Sequence, residues 1–444
     1  MSATLDDGGI CVIGLGYIGA PLAILLAAAG KRVTGVERNG DICDLLLKKK
    51  IHIHEEGLPL ELAIDSGRLR VEDSLPDDPD LRTYIVCVGT PLDVQGRPDL
   101  AHVEQAVAAL AAVVREGDLV ILRSTLPVGA TRQLLNGPLR EKSPGVEIAF
   151  CPERTAQGMS AKELRTLPQI VAGSSPQAVE RAGRLFRTLT DQVIPVADFE
   201  TAELAKLVCN SFRYTIFGFA NEFARLCEYV GVSAGDVLTA ASTGYARGAA
   251  IPVPGPVGGS CLPKDVVMLD DAFRSFTLAG SGLLEYVTEV NAAVPSRIAD
   301  TLAVNAPRLE EPGLLRVALL GVAFKGDPAT DDDRASPSNE ILAALRDRFT
   351  RMEVVSHDPL VSAARQRALG YEPAATALEA VEGAHIAVIG TNHQGYARIP
   401  LADLVRLMCT PCVVYDVWAV HAGESSGLPD GATYHAFGAV PVAG

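Results

Sequence analysis

Hydrophobic and polar positions change their period twice along the 444 residues. From residue 10, short β-branched runs alternate with alanine-rich stretches of helical spacing. Residues 10–13, 32–36, 84–88, 119–122, 147–150 and 169–171 read as strands, and 20–29 as the first helix. Parallel strands need a crossover to return, so this alternation predicts a doubly wound α/β sheet. Between residues 200 and 300 the strand signal vanishes and apolar residues recur every three or four positions, most clearly over 201–230. A second strand series, 316–320, 353–356, 385–389 and 412–415, follows the punctuation of Pro307, Pro312 and Gly313. The expected architecture is α/β, with two Rossmann-like doubly wound domains, 1–198 and 306–444. They are joined by a central helical domain, 199–305, whose long helix suits packing against a second copy in a homodimer.

The length agrees, because one core supports roughly 100–200 residues. Although 48% of the chain is hydrophobic, no uninterrupted apolar run reaches the roughly 20 residues that span a bilayer. The N-terminus reads Met-Ser-Ala-Thr-Leu-Asp-Asp-Gly-Gly, acidic where an export signal is basic, so a cytoplasmic location is expected. A net charge of −15 argues against general affinity for nucleic acid or acidic membranes, and an anionic ligand would need its own local cations. Nine cysteines, odd in number and scattered from Cys11 to Cys412, do not make a disulfide framework, so reduced thiols are expected. The one C-x-x-C pair, Cys409 and Cys412, runs into Cys-Val-Val-Tyr and reads as the entrance of a buried strand rather than a zinc or redox site.

Candidate chemistry begins where the first strand meets Gly14-Leu15-Gly16-Tyr17-Ile18-Gly19 and a helix. In a strand–turn–helix context the first glycine permits the tight turn. The second lets backbone approach a pyrophosphate, and the third lets helix pack on strand. The second strand ends at Glu37, an acid placed to accept from the adenosine ribose hydroxyls, which favours NAD over NADP. Arg38 beside it is a residue type that pairs with a 2′-phosphate and pulls the other way. Two further strands end in Val88-Gly89-Thr90-Pro91 and Arg123-Ser124-Thr125-Leu126-Pro127. Hydroxyls at strand carboxyl ends either line the nicotinamide and substrate crevice or cap the next helices.

A second concentration of chemistry is the loop Pro254-Gly-Pro-Val-Gly258-Gly259-Ser260-Cys261-Leu-Pro263-Lys264-Asp265. It delivers a cysteine just ahead of a helix, where terminal amides and Lys264 favour thiolate. On the long helix Lys206 and Asn210 share a face, continued by Arg213 and Phe217. Leu204, Leu207, Val208, Phe212 and Ile216 predict apolar surroundings, in which a buried ammonium and amide need a partner such as a developing alkoxide. Cys151-Pro152-Glu153-Arg154 puts a carboxylate at a strand-end rim, where a surface ion pair is the alternative.

With these pieces in place the chain resembles the UDP-glucose, GDP-mannose and UDP-N-acetylmannosamine 6-dehydrogenase family nearly end to end. Further markers are Ala202 to Asn210 with Asn221-Glu222, Gly321-Val-Ala-Phe324-Lys325 with Thr330 to Pro337, His357-Asp358-Pro359 and Asp416-Val-Trp418. The resemblance implies NAD as cofactor and a UDP-sugar as substrate, with a four-electron oxidation of C6 through a thioester on Cys261. It implies oxyanion stabilisation by Lys206 and Asn210 and support of lysine and water by Asp265. Glu153 would be the base toward hydrolysis, with Thr125 nearby. Arg334 would reach NAD, and Lys325 with Phe324, Gly258, Tyr245, Arg247, Arg213 and Arg154 would meet the sugar nucleotide.

Two motifs disagree on the sugar. Ser260 to Asp265 has the form of the GDP-mannose and UDP-glucose enzymes. Pro152-Glu-Arg154 with Leu167-Pro-Gln-Ile has that of the UDP-N-acetylhexosamine branch. The glycine loop lacks a further glycine or aromatic at its third position, and the segment from Lys325 to Arg334 is two residues longer than in the commonest members. A β-hydroxyacid dehydrogenase would leave Cys261 and the strands beyond 314 unexplained. A non-catalytic sugar-nucleotide-binding protein would have no use for Cys261, Lys206, Asn210 and Asp265 together.

Overall fold

The computed structural model describes residues 8–135, 137–277, 279–306, 313–424, 427–440 and 442–443. The first seven residues, Pro307 and Pro312 lie outside them. The chain divides into two compact units, Met1–Asn210 with Val267–Gly280, and Ser211–Val266 with Ser281–Gly444.

The first unit carries an eight-stranded sheet. Its strands are β1 (Gly9–Ile13), β2 (Val33–Val36), β3 (Leu69–Glu72), β4 (Leu81–Val86), β5 (Leu119–Leu122), β6 (Glu147–Phe150), β7 (Gln169–Gly173) and β8 (Val193–Pro195). Their order is β3-β2-β1-β4-β5-β6-β7-β8. Pairing is parallel except between β6 and β7, which run antiparallel. The winding reverses between β1 and β4, so a crevice opens there at the carboxyl ends of the strands. Both faces are covered, which is why the central strands read as continuous apolar runs. Ile10, Val12, Ile85 and Ile121 point into one core, and Cys11, Tyr84, Val86, Val120 and Leu122 into the other. The helix Gly19–Ala28 buries all but its last residue, so its apolar positions show no preferred side.

The second unit repeats the plan with β9 (Leu315–Leu320), β10 (Met352–His357), β11 (Glu372–Pro373), β12 (Ile386–Ile389), β13 (Cys412–Asp416), β14 (Ala432–Ala436) and β15 (Val442–Ala443). The order is β11-β10-β9-β12-β13-β14-β15, parallel except for β15. Cys412 opens β13 inside a core with Leu320, Ile389 and Val414, while Cys409 is exposed. The α/β architecture read from the sequence is therefore present.

The helical region holds Phe199–Val230, Leu262–Thr277 and Gly282–Asn305. Its long helix corrects one expectation. Leu204, Val208 and Phe212, read as surrounding Lys206, are 37%, 50% and 56% exposed. Spaced by four, they form an apolar stripe of their own, and of the five named residues only Leu207 is buried.

Candidate active site

At the carboxyl end of β1 the backbone turns through Gly14 at φ +87°, a conformation that side chains disfavour. A Cβ on Gly19 would lie 1.8 Å from the Gly14 carbonyl oxygen, whereas one on Gly16 would meet nothing within 4 Å. The outer glycines are therefore required by the turn, and the middle one leaves an open approach to the backbone. The helix that follows has no side-chain cap and no acid in its first turn, so its positive end is left for an anion. Glu37 accepts from the Leu15 amide at 2.9 Å through Oε2 and from the Asn39 amide at 3.0 Å through Oε1. A carboxylate offers about four acceptor positions, so capacity remains for ribose hydroxyls. Arg38 is exposed and donates to Gln105 Oε1 at 3.1 Å. Tyr17 and Ile18 are half-buried in the turn. These residues fit an adenine dinucleotide.

On the neighbouring strands Thr90 Oγ1 donates to the Thr125 carbonyl at 2.9 Å, and Ser124 Oγ to the Val88 carbonyl at 2.6 Å. Both hydroxyls brace the loops beyond β4 and β5 instead of capping helices. Thr125 itself is half-buried.

The residue that sequence reasoning passed over is Arg123. Only 1% exposed, it donates to Glu153 Oε2 from Nε at 3.1 Å and from Nη2 at 2.5 Å. It also reaches the Cys151 carbonyl and Gln169, and lies over the Phe186 ring. Glu153 Oε1 takes the amides of Arg154 and Thr155 at 2.7 and 2.8 Å. Burial pushes the Glu153 carboxyl up, but Arg123 and the two amides outweigh it and hold the group below the ordinary glutamate range. The resulting stabilisation is complete above the ordinary glutamate range and is lost as pH falls through the lowered folded-state value. The surface ion pair considered as an alternative is thus a buried one, with four acceptor positions filled. Arg154 is half-buried and donates to the Pro168 carbonyl.

Lys206 and Asn210 are both buried, at 8% and 9% exposure, while Arg213 on the same stripe is exposed and Phe217 half-buried. The helix thus separates an enclosed ammonium and amide from a solvated guanidinium.

In the second unit Cys261 is exposed directly ahead of the helix Leu262–Thr277. Its carbonyl accepts the Asp265 amide at 2.9 Å, closing the first helical turn, and Ser260 Oγ lies 3.8 Å from its sulfur. Lys264 Nζ stands 2.9 Å from the buried Asp265 carboxylate, so the cation expected beside the thiol is engaged with its neighbour. The loop ahead of the cysteine is closely packed. A Cβ on Gly258 would lie 2.5 Å from the Ala335 carbonyl oxygen, and one on Gly259 would lie 2.7 Å from the Phe324 ring. Phe324, with Lys325 Nζ 5.5 Å over its ring, therefore lies beside the cysteine loop. Arg334 is held two-pronged by the buried Asp332 at 2.8 and 2.7 Å. Tyr245 and Arg247 are exposed together, the guanidinium 5.9 Å over the ring.

A glycine turn at a switch point, a paired acid at the end of β2 and a cysteine at a helix start define an NAD-dependent oxidoreductase built on two α/β sheets. The sequence matches the UDP-glucose/GDP-mannose dehydrogenase family models for the NAD binding domain over residues 9–190, the central domain over 200–293 and the UDP binding domain over 318–422. A UDP-N-acetyl-D-mannosamine dehydrogenase of Pyrococcus horikoshii is 34% identical over 412 residues, covering 90% of this chain and 93% of the relative. An NDP-N-acetyl-D-galactosaminuronic acid dehydrogenase of Ralstonia nicotianae is 33% identical over 410 residues, covering 89% and 93%. The solved structure of a UDP-glucose dehydrogenase from Pyrobaculum islandicum superposes with a TM-score of 0.83 at 25% identity, over 97% of this chain and 98% of that one.

The chain belongs to the UDP-glucose/GDP-mannose dehydrogenase family. NAD is its cofactor and a nucleotide sugar its class of substrate. Among the described residues no helix is long and apolar enough to cross a membrane.

Proposed function

We propose that this chain oxidises the C6 alcohol of a UDP-hexose to the carboxylate through a thioester on Cys261. The observation that carries the reading is Cys261 itself, exposed at a helix start on a glycine loop packed against Phe324 and Ala335. Bound NAD supplies the electron sink at each of two stages, so that alcohol, two NAD⁺ and water become carboxylate, two NADH and three protons. At the aldehyde level the Cys261 thiolate adds to C6, forming a C–S bond and an oxyanion. Oxidation of this adduct gives the thioester. Water then adds to the thioester carbonyl, the C–S bond breaks and the thiolate is released.

We assign Lys206 and Asn210 to donate to the C6 oxygen as negative charge develops, where a donor that avoids hydration is most effective. Asp265 supports the lysine and the water, and Thr125 contributes beside Glu153. Glu153 is the base toward water, and taking that proton requires one of its two amide bonds to open. Residues 1–198 would hold NAD through Gly14, Gly16, Gly19, Glu37, Thr90 and Ser124, with Arg334 reaching toward it. Residues 306–444 would hold the UDP-sugar, with Phe324 and Lys325 beside it. Tyr245, Arg247, Arg213 and Arg154 are assigned to the sugar or diphosphate. Residues 199–305 would pair two copies, a reading supported by the apolar stripe Leu204, Val208 and Phe212.

For the sugar we infer an N-acetylhexosamine. Pro152-Glu153-Arg154 favours it, and so do the activities of the two relatives, both of which act on N-acetylated sugars. UDP-glucose is the second reading, favoured by the form of Ser260 to Asp265. Initial rates with UDP-N-acetylmannosamine, UDP-N-acetylgalactosamine, UDP-N-acetylglucosamine, UDP-glucose and GDP-mannose decide between them. A site built to hydrogen-bond an N-acetyl group is expected to discriminate by at least about 100-fold in kcat/KM. Preference for UDP-glucose or GDP-mannose would reject the first assignment.

A further inference from the structure

Asn221 lies in the interior of the long helix, fully buried. Neither fact suits an asparagine, whose helix propensity is poorer than that of leucine and whose carboxamide is costly to bury unpaired. Its hydrogen bonds account for its presence. Oδ1 accepts from the Gly255 amide at 2.8 Å, and Nδ2 donates to the Gly255 carbonyl at 3.0 Å. The second proton of Nδ2 goes to Asn291 Oδ1 at 2.9 Å, and Asn291 in turn donates to the Tyr214 carbonyl at 3.1 Å. The carboxamide thus meets Gly255 as a neighbouring strand would, through both its N–H and its C=O.

Gly255 belongs to a stretch without regular structure that runs to the cysteine. Among the described residues its backbone is tied to other elements at two points, Gly255 by Asn221 and Gly259 by the Ala335 carbonyl at 3.0 Å. At the first tie a side chain also closes on the loop. A Cβ on Gly255 would lie 2.8 Å from the Trp418 ring, which is itself fixed by its Nε1 donating to the Gly390 carbonyl at 3.1 Å. The loop is therefore clamped near both ends, and the clamp at the far end from the cysteine is one side chain.

We propose that Asn221 is a positioning residue of the reaction, holding Gly255 by both backbone groups and so fixing the loop that presents Cys261. It touches no reacting atom and acts through the loop. The proposal rests on the reading of Cys261 as the nucleophile. Its consequence is a separation of effects. A nucleophile displaced by a fraction of an ångström loses rate, while NAD and sugar-nucleotide contacts made elsewhere persist.

The test compares Asn221→Leu with Asn291→Leu in the full chain, measuring kcat, both KM values and the melting temperature. Asn291→Leu removes an equally buried amide in the same network but no bond to the loop. Asn221→Leu is expected to lower kcat roughly 100-fold and to leave both KM values within about threefold. Asn291→Leu should lower the melting temperature while keeping kcat within about threefold of the wild type. Should Asn221→Leu not accumulate as folded protein, Asn221→Ser is judged by the same split. An equal fall in kcat for both positions, or an unchanged kcat in the folded Asn221 variant, overturns the positioning role. Cys261→Ser in parallel separates the two ideas. If it still makes acid, the nucleophile reading fails. If it is inactive while the Asn221 variant turns over normally, only the positioning inference fails.

Discussion

Cys261→Ser is expected to lower steady-state acid formation by about 10,000-fold or more while NAD and the sugar nucleotide still bind within about twofold of the wild type. A thiolate is a strong nucleophile near neutral pH, and a serine hydroxyl needs a base to approach it. Serine cannot form the C–S bond on which the second oxidation depends. The substitution should not disturb the fold, because Cys261 is exposed and its contribution to the helix Leu262–Thr277 is its carbonyl, which accepts from Asp265. Product analysis gives the check. Undiminished conversion to the acid would remove the thioester from the mechanism. Loss of sugar-nucleotide binding in parallel with rate would make the cysteine a binding residue.

Lys206→Ala has the next largest expected effect, a fall in kcat of about 1,000-fold with little change in either KM. The ammonium is buried, at 8% exposure, within the long helix. A donor charge withdrawn from water is strongest toward an oxygen that becomes negative. Removing it should therefore cost transition-state stabilisation. Single-turnover measurement of the first hydride transfer distinguishes the roles. A variant with normal hydride transfer and raised KM would make Lys206 a substrate anchor.

Much of this was legible in the chain. Strands β1, β4, β5, β9, β12 and β13 are apolar on both faces and announce themselves as runs. The glycine turn shows because Gly14 and Gly19 are demanded by backbone geometry close in sequence. Edge strands escaped notice for a physical reason. β3 is Leu69-Arg70-Val71-Glu72 with only its alternate residues buried, and β11 contains a proline. In such strands one face or one edge meets water, and the apolar run that marks a central strand is missing.

Site chemistry divides the same way. Cys261 stood out because glycines and a helix start surround it locally. The ties Arg123 to Glu153 and Asn221 to Gly255 span 30 and 34 residues, and periodicity carries no information over such distances. Leu204, Val208 and Phe212 show the limit from the other side. Helical spacing states which residues share a face, and only packing decides whether that face is covered.

The most direct test of the central claim is the number of NADH molecules formed per sugar nucleotide when the accepted UDP-hexose is limiting and NAD is in excess. The account predicts two, with a carboxylate product and no aldehyde released. One NADH per sugar, with aldehyde accumulating, would contradict it.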